Sequence, residues 1–215
     1  MPDADGNVSA VSQRSAELPD VLRERKQVLR RRVLAARAAL DRAEHARLSR
    51  AITTRLLDLP EFKRASCVLA YLSFGTEFDT REFVAALQGR GCALVLPRIN
   101  LVNRTLALYR VSDPDAQTVA GVWGIREPDP ALCTLAEPGS IEAVLVPGVV
   151  FTQRCDRVGY GGGFYDALVR DWHQPPPLVA AAFDLQMAGD VPVGPGDYPV
   201  DGVITETASY SRRAG

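Results

Sequence analysis

The chain has 215 residues, 25 basic and 26 acidic side chains, a net charge of −1 and a hydrophobic content of 47%. That balance provides no global field to draw it to nucleic acid or a membrane surface, and the length suffices for one large domain with a sizeable core. No apolar run reaches the ~20 residues of a membrane span, and residues 1–19 lack the apolar centre of a signal peptide, so a cytoplasmic location is expected.

Residues 1–19 are small, polar and aperiodic and read as a disordered tail; residues 20–210 read as one α/β domain with a helical extension at its start. From Asp20 the pattern becomes helical, with Leu22, Leu29, Val33, Ala36 and Leu40 as the apolar positions. Arg23, Arg25, Lys26, Arg30, Arg31, Arg32 and Arg37 fall on the other faces. Such a face is a solvated surface, a grip on a nucleotide or acidic small molecule, or a nucleic-acid contact. Lys26 and Arg30, four residues apart, project from one side and can close on one phosphate. Asp41 and Glu44 form a capping-box pattern for a second helix through Leu48, Ile52 and Leu56, which Pro60 ends.

Strands and helices then alternate. Cys67 to Tyr71 is a short apolar strand, and Leu72 to Asp79 a loop rich in turn residues. Thr80 caps a helix from Arg81 to Gln88 that stops at Gly89 and Gly91. Cys92 to Leu96 is the next strand, ended by Pro97, and Thr105 to Val111 another. This is the βαβ order of a largely parallel sheet, in which ligands sit beyond the carboxyl ends of the strands. Glu77, Arg98 and the glycine loop at Gly159 to Asp166 all follow a strand, so one crevice is expected to receive all three. Trp123, in a segment read as loop, is either a packing anchor or a surface on which a flat heterocycle stacks.

The cysteines Cys67, Cys92, Cys133 and Cys155 show no C-x-x-C spacing, and only His45 and His173 are available as nitrogen ligands. Neither zinc nor a disulfide framework is expected. Cys155 stands between Arg154 and Arg157, cations that favour a thiolate, so a reactive role is open beside an inert one.

The most informative stretch is Ile141 to Asp166. An apolar β-branched run ends at Pro147-Gly148, and Gly159, Gly161, Gly162 and Gly163 then precede a helical pattern from Phe164 to about Trp172. Strand, glycine loop and helix N-terminus make a phosphate cradle of backbone N–H groups. It is not a P-loop, lacking G-K-[ST], and the dinucleotide pattern G-x-G-x-x-G fails at Phe164. Arg157 can fork onto phosphate oxygens, and Asp166 can hold a magnesium ion bound to them. Further strands are expected at Leu178 to Phe183 and Gly202 to Thr205. The Pro- and Gly-rich loop between them offers Asp197 or Asp201 as a second metal carboxylate, or as plain turn residues.

V-P-G-x-x-F from Val146, R-x-G-Y-G-G-G-F-Y-D from Arg157, K-x-x-x-R at Lys26 and Arg30, and E-F-D-T from Glu77 together resemble the 5-formyltetrahydrofolate cyclo-ligase family. The resemblance is collinear from about residue 25 to 206. It implies a three-layer α/β fold, a mostly parallel sheet flanked by helices, of the kind shared with ribose-5-phosphate isomerase and CoA transferases. It further implies ATP- and Mg²⁺-dependent closure of 5-formyltetrahydrofolate to 5,10-methenyltetrahydrofolate by a monomer that engages small molecules rather than nucleic acid or membrane.

By the same resemblance, Lys26, Arg30, Arg157, Val158, Gly159, Tyr160, Gly161, Gly162, Gly163, Phe164 and Tyr165 bind ATP, with Arg157 and Tyr165 also catalytic. Leu72, Glu77, Trp123 and the Tyr160 to Phe164 segment bind the folate, and Asp166 and Asp197 hold Mg²⁺. This chain departs from the family pattern at Thr152, at Cys155-Asp156, at Phe164 and at Ala167, where aspartate, glycine, tyrosine and arginine are usual. On the residues alone, a sugar-phosphate isomerase or CoA transferase on the same kind of sheet, and a non-catalytic folate- or nucleotide-binding relative, are alternatives.

Overall fold

The computed structural model describes residues 19–212. The tail expected over residues 1–19 lies outside them except for Pro19, which opens α1 (Pro19–Ala38), a position where its missing N–H forfeits no helix bond. Asp41 caps α2 (Arg42–Asp58), accepting from the Glu44 N–H at 2.9 Å. The Glu44 carboxylate does not complete the box but forks onto Arg47 at 2.7 Å. Pro60 opens the short α3 (Pro60–Arg64).

Next come β1 (Cys67–Leu69), α4 (Arg81–Gly89), β2 (Ala93–Asn100), β3 (Thr105–Val111), β4 (Thr118–Ala120), β5 (Arg126–Pro128), β6 (Thr134–Leu135) and β7 (Ala143–Val146). The last third holds β8 (Val150–Thr152), β9 (Arg157–Val158), α5 (Phe164–Asp171), β10 (Leu178–Ala181), β11 (Met187–Ala188), β12 (Gly202–Ile204) and β13 (Ser209–Ser211). No helix among the described residues is long and apolar enough to cross a membrane.

The main sheet has eight strands in the order β13-β12-β10-β7-β1-β2-β3-β6. The run from β12 through β10, β7 and β1 to β2 is parallel, and β13, β3 and β6 join by antiparallel pairing. Side chains alternate between two buried faces. Ala143 and Leu145 of β7 pack under α2, α3 and α4 with Ile52, Leu56, Phe62, Phe83 and Leu87. Val144 and Val146 meet Phe151, Val169 and Val203 on the other side, where α5 lies. This makes three layers, and burial on both faces explains why these strands read as continuous apolar runs.

Two local expectations are corrected. Pro97 does not end its strand, since β2 continues to Asn100 and pairs with β3 through Pro97↔Leu108. Strand alternation puts position 97 on the same edge as Val95, whose carbonyl accepts from Ala70 N, so the missing N–H falls at the margin of the β1–β2 ladder, where β1 ends. Thr80 holds the N-cap position of α4 but makes no capping bond with its side chain. Its hydroxyl accepts from Ser73 N at 3.0 Å, and the Asp79 carboxylate takes the Arg81 N–H at 3.0 Å instead.

The sequence pattern also misses a small sheet in the order β11-β8-β9. Its hairpin β8–β9 turns through Cys155, which has a left-handed φ of 67°. Thr152, one of the departures from the family pattern, organises this turn. Its hydroxyl accepts from Arg154 N at 3.2 Å and Asp156 N at 3.1 Å, and lies 3.2 Å from the Asp156 carboxylate.

Leu145 is completely buried at the centre of the sheet. Leu145→Ala is therefore expected to lower unfolding free energy by ~2–5 kcal/mol, read as a lower denaturant midpoint with an unchanged slope.

Candidate active site

A crevice of about 980 Å³ opens beyond the carboxyl ends of the parallel strands. Its floor is Tyr71 and Leu72 after β1, Leu96 and Pro97 of β2, and Pro147 after β7. Around it stand α1, the loop from β9 to α5, and the flap between β4 and β5. The volume is at the upper end of the ~300–1,000 Å³ usual for small-molecule sites.

Helix α1 supplies the cationic wall. It is anchored by Val33, which packs with Val149, Val150, Val158 and Val191. The face around Val33 is not purely apolar, for Lys26, Arg30 and Arg37 share it. Lys26 Nζ pairs with the Asp197 carboxylate, which also accepts from Gly194 N at 2.6 Å. Arg30 Nε donates to the Gly159 carbonyl at 2.6 Å, and no other hydrogen bond engages its guanidinium among the described residues. Arg37, one of the arginines for which a solvated face, a small-molecule grip and a nucleic-acid contact were all open, is only 2% exposed and donates to the Thr76 and Tyr160 hydroxyls.

The glycine loop faces this wall. Gly161 and Gly163 have φ of 106° and 72°, a region that favours glycine, and Gly163 N-caps α5. A Cβ at Gly161 would stand 3.5 Å from the Arg30 guanidinium, an ordinary contact, so the positive φ rather than lack of space calls for glycine there. Arg157, 7% exposed, bonds Asp166 at 2.7 Å and the Pro147 carbonyl at 3.2 Å. Asp166 accepts from Tyr198 N as well, at 3.1 Å. Among the described residues, Arg157 Nε and the Tyr165 hydroxyl are buried without a hydrogen-bond partner. Burial, with Glu77 nearby, pushes the Tyr160 and Tyr165 phenols well up, so both are neutral donors.

Glu77 lines the crevice at 4% exposure. Burial raises its carboxyl above the usual range, against the hydrogen bonds from Phe74 N, at 3.0 Å, and Tyr160. Leu72 lies beside it in the crevice wall. Trp123 is no packing anchor: it is 67% exposed with a left-handed φ of 57° at the tip of the flap, its ring 6.3 Å from that of Phe164. Of the residues expected here, Lys26, Arg30, Leu72, Glu77, Trp123, Arg157, Val158, the segment from Gly159 to Asp166, and Asp197 all line the one crevice.

Two others do not. Arg98 turns its guanidinium to the Pro128 carbonyl at 2.7 Å and ties down β5. Asp201 sits where β12 starts, accepting from Leu178 N at 2.8 Å, at the opposite end of the strands from the crevice. Cys155 is also corrected: it is fully buried, and burial, with Asp156 and Asp201 nearby, pushes its thiol up to about 11. The flanking arginines face elsewhere, to Asp190 and Asp166.

Sequence reasoning missed Arg37 and Glu127. Glu127 is 2% exposed and accepts from Ile99 N at 3.2 Å, locking the flap to β2. Gly121 leaves room for it, since a Cβ there would be 2.2 Å from the Glu127 carboxylate. The G-x-x-G-x-x-E spacing from Gly121 was the available signal.

A metal or nucleotide fits these donors in a specific way. No group of three or more His, Cys, Asp or Glu side chains is gathered among the described residues, which excludes an all-protein cage. Mg²⁺ needs only one or two carboxylates when phosphate oxygens and waters complete its octahedron, and Asp166 and Asp197 are present in the crevice for that. The orphaned Arg157 Nε and Tyr165 hydroxyl are donors awaiting an acceptor.

Fold and crevice place the chain among α/β enzymes that hold their ligands at the strand carboxyl ends. The model of the 5-formyltetrahydrofolate cyclo-ligase family matches residues 22–206, and the chain belongs to that family. The 5-formyltetrahydrofolate cyclo-ligase of Escherichia coli K12 is 28% identical over 170 residues, covering 79% of this chain and 93% of its own. A probable 5-formyltetrahydrofolate cyclo-ligase of Caenorhabditis elegans is 25% identical, covering 86% and 94%. The NMR structure of Aquifex aeolicus 5,10-methenyltetrahydrofolate synthetase superposes with a TM-score of 0.76 at 32% identity, covering 88% of this chain and 94% of that one.

All four cysteines are free and buried. A chromogenic thiol reagent is expected to label the native protein only slowly near neutral pH and to titrate 4 thiols on denaturation. Fast labelling of Cys155 in the native state would restore its reactive role.

Proposed function

We propose that the protein catalyses the ATP- and Mg²⁺-dependent cyclisation of 5-formyltetrahydrofolate to 5,10-methenyltetrahydrofolate, releasing ADP and phosphate. The observation that carries this reading is the Arg30 guanidinium, fixed by one nitrogen to the Gly159 carbonyl, with no further hydrogen bond among the described residues, beside the glycines of the loop. A guanidinium held that way presents a fork matched to phosphate oxygens.

The chemistry needs a phosphoryl donor because the formyl oxygen is a poor leaving group. That oxygen attacks the γ-phosphorus, ADP departs, and an iminium phosphate forms on the folate. The neighbouring folate nitrogen then attacks the carbon, loses its proton, and expels inorganic phosphate as the ring closes. Transfer of this kind requires positioning and charge neutralisation more than a protein nucleophile.

Each crevice residue has a part in it. Lys26, Arg30 and Arg157, with the backbone from Val158 to Tyr165, hold the triphosphate. Arg157 and Tyr165 lend their orphaned donors to the oxygens that gain charge. Glu77 accepts parallel N–H bonds from the pterin edge, and Leu72, Trp123, Tyr160 and Phe164 enclose the ring. Asp166 and Asp197 hold Mg²⁺, which supplies further neutralisation of phosphate charge.

Purified protein with Mg·ATP and 5-formyltetrahydrofolate is expected to generate the ultraviolet-absorbing methenyl product; folded protein that gives no ATP-dependent absorbance change would exclude the activity. Arg157→Ala is expected to lose a charge-assisted phosphate contact of ~1.5–3 kcal/mol, roughly a 10- to 150-fold loss in catalytic efficiency. Steady-state kinetics with ATP as the varied substrate measures it, and unchanged values would remove Arg157 from the cradle.

A further inference from the structure

Arg37 is a buried cation with neutral direct contacts. Nε and Nη2 both donate to the Thr76 hydroxyl at 3.2 Å, and Nη2 donates to the Tyr160 hydroxyl at 3.0 Å. Its Cζ lies 6.0 Å from the centre of the Tyr160 ring, which also packs at 5.3 Å against Phe74. Among the described residues neither Arg37 nor Glu77 makes a direct ion pair. A guanidinium 2% exposed is costly to bury without a compensating charge.

The compensating charge is Glu77. Its carboxylate takes a hydrogen bond from Tyr160 and feels the field of Arg37. The order is therefore cation, phenol hydroxyl, carboxylate, with the hydroxyl accepting from Arg37 and donating to Glu77. A direct bidentate bridge would commit both carboxylate oxygens to the guanidinium; here Oε2 takes the Phe74 N–H at 3.0 Å, and the Tyr160 hydroxyl stands between the carboxylate and Arg37. The other groups that face Glu77 do not supply its charge balance. His45 of α2 contacts the Glu77 carbonyl at 2.7 Å rather than its carboxylate, and Tyr71 and Tyr165 are neutral phenols.

We infer that Arg37 is a positioning residue for substrate binding: from beneath the glycine loop it holds Tyr160 in place and balances the Glu77 charge, leaving that carboxylate open to the substrate's N–H edge. This rests on the reading of Glu77 as the group that receives the folate. The sign of the pH effect follows. Burial raises the Glu77 carboxyl, and Arg37 and Tyr160 oppose that rise. Removing either raises it further, so the ionised form that accepts N–H bonds is lost at a higher pH.

The test is equilibrium binding of 5-formyltetrahydrofolate and, separately, of Mg·ATP, followed from about pH 5.5 to about pH 8.5 by calorimetry. Arg37→Met is expected to weaken folate binding about tenfold toward the acid end of that range, with the loss narrowing at the alkaline end. Mg·ATP affinity should stay within about twofold, and Arg37→Lys should recover part of the folate affinity. Tyr160→Phe keeps the ring but breaks the relay and should shift the acid limb in the same direction, so it decides the matter if Arg37→Met fails to melt cooperatively. Folate affinity unmoved at every pH while Glu77→Gln is impaired overturns the proposal and spares the Glu77 reading. A pH-independent loss shared equally by ATP also overturns it, leaving Arg37 as support for the fold. Normal folate binding by Glu77→Gln overturns both.

Discussion

The crevice depends on a helix that turns cations, and not only hydrocarbon, toward the body of the protein. Desolvating Lys26, Arg30 and Arg37 opposes the docking of α1, and each is compensated differently: by a carboxylate, by a backbone carbonyl, and by two hydroxyls. The valine cluster around Val33 supplies the apolar contact that holds the helix against this cost. Because the direct partners of Arg30 and Arg37 are neutral, their charges are balanced only at a distance, by Asp197 and by Glu77. The helix thus delivers fixed charge to a site with little side-chain freedom left to lose.

The opposite wall follows from the hairpin under the glycine loop. Phe151 pairs with Arg157 across β8 and β9, so the arginine is set by a ladder rather than by a flexible turn. Gly148 permits this, since a Cβ there would lie 2.4 Å from the Phe151 ring. Thr152 spends its hydroxyl on the turn and leaves Asp156 to share the contact. The departure from the family pattern is therefore absorbed in the hairpin, away from the crevice.

Much of this was legible in the chain. The parallel strands announce themselves because burial on both faces demands apolar residues without alternation, and the glycine loop because few other sequences admit left-handed backbone twice in three residues. Other features are set by partners far along the chain. Arg37 counts as one more surface charge in any helical projection, and its burial depends on hydroxyls 39 and 123 residues away. Arg98 was read as following a strand, but it stands within β2, and its direction is fixed by a carbonyl on the flap. Arg154 and Arg157 flank Cys155 in sequence while pointing to Asp190 and Asp166, so proximity along the chain misled about the field at the thiol.

Pro97 bears on hydration. It stands in the crevice wall where β2 runs on beyond the end of β1 and where any other residue would present an amide to the open edge. An amide there would need a water or a ligand atom as its partner. With proline, that stretch asks for neither. A ring settling against Leu96, Pro97 and Ile99 meets no backbone donor at position 97, and the Ile99 N–H beyond it is already taken by the Glu127 carboxylate, so this stretch gives a stray peptide strand little to pair with.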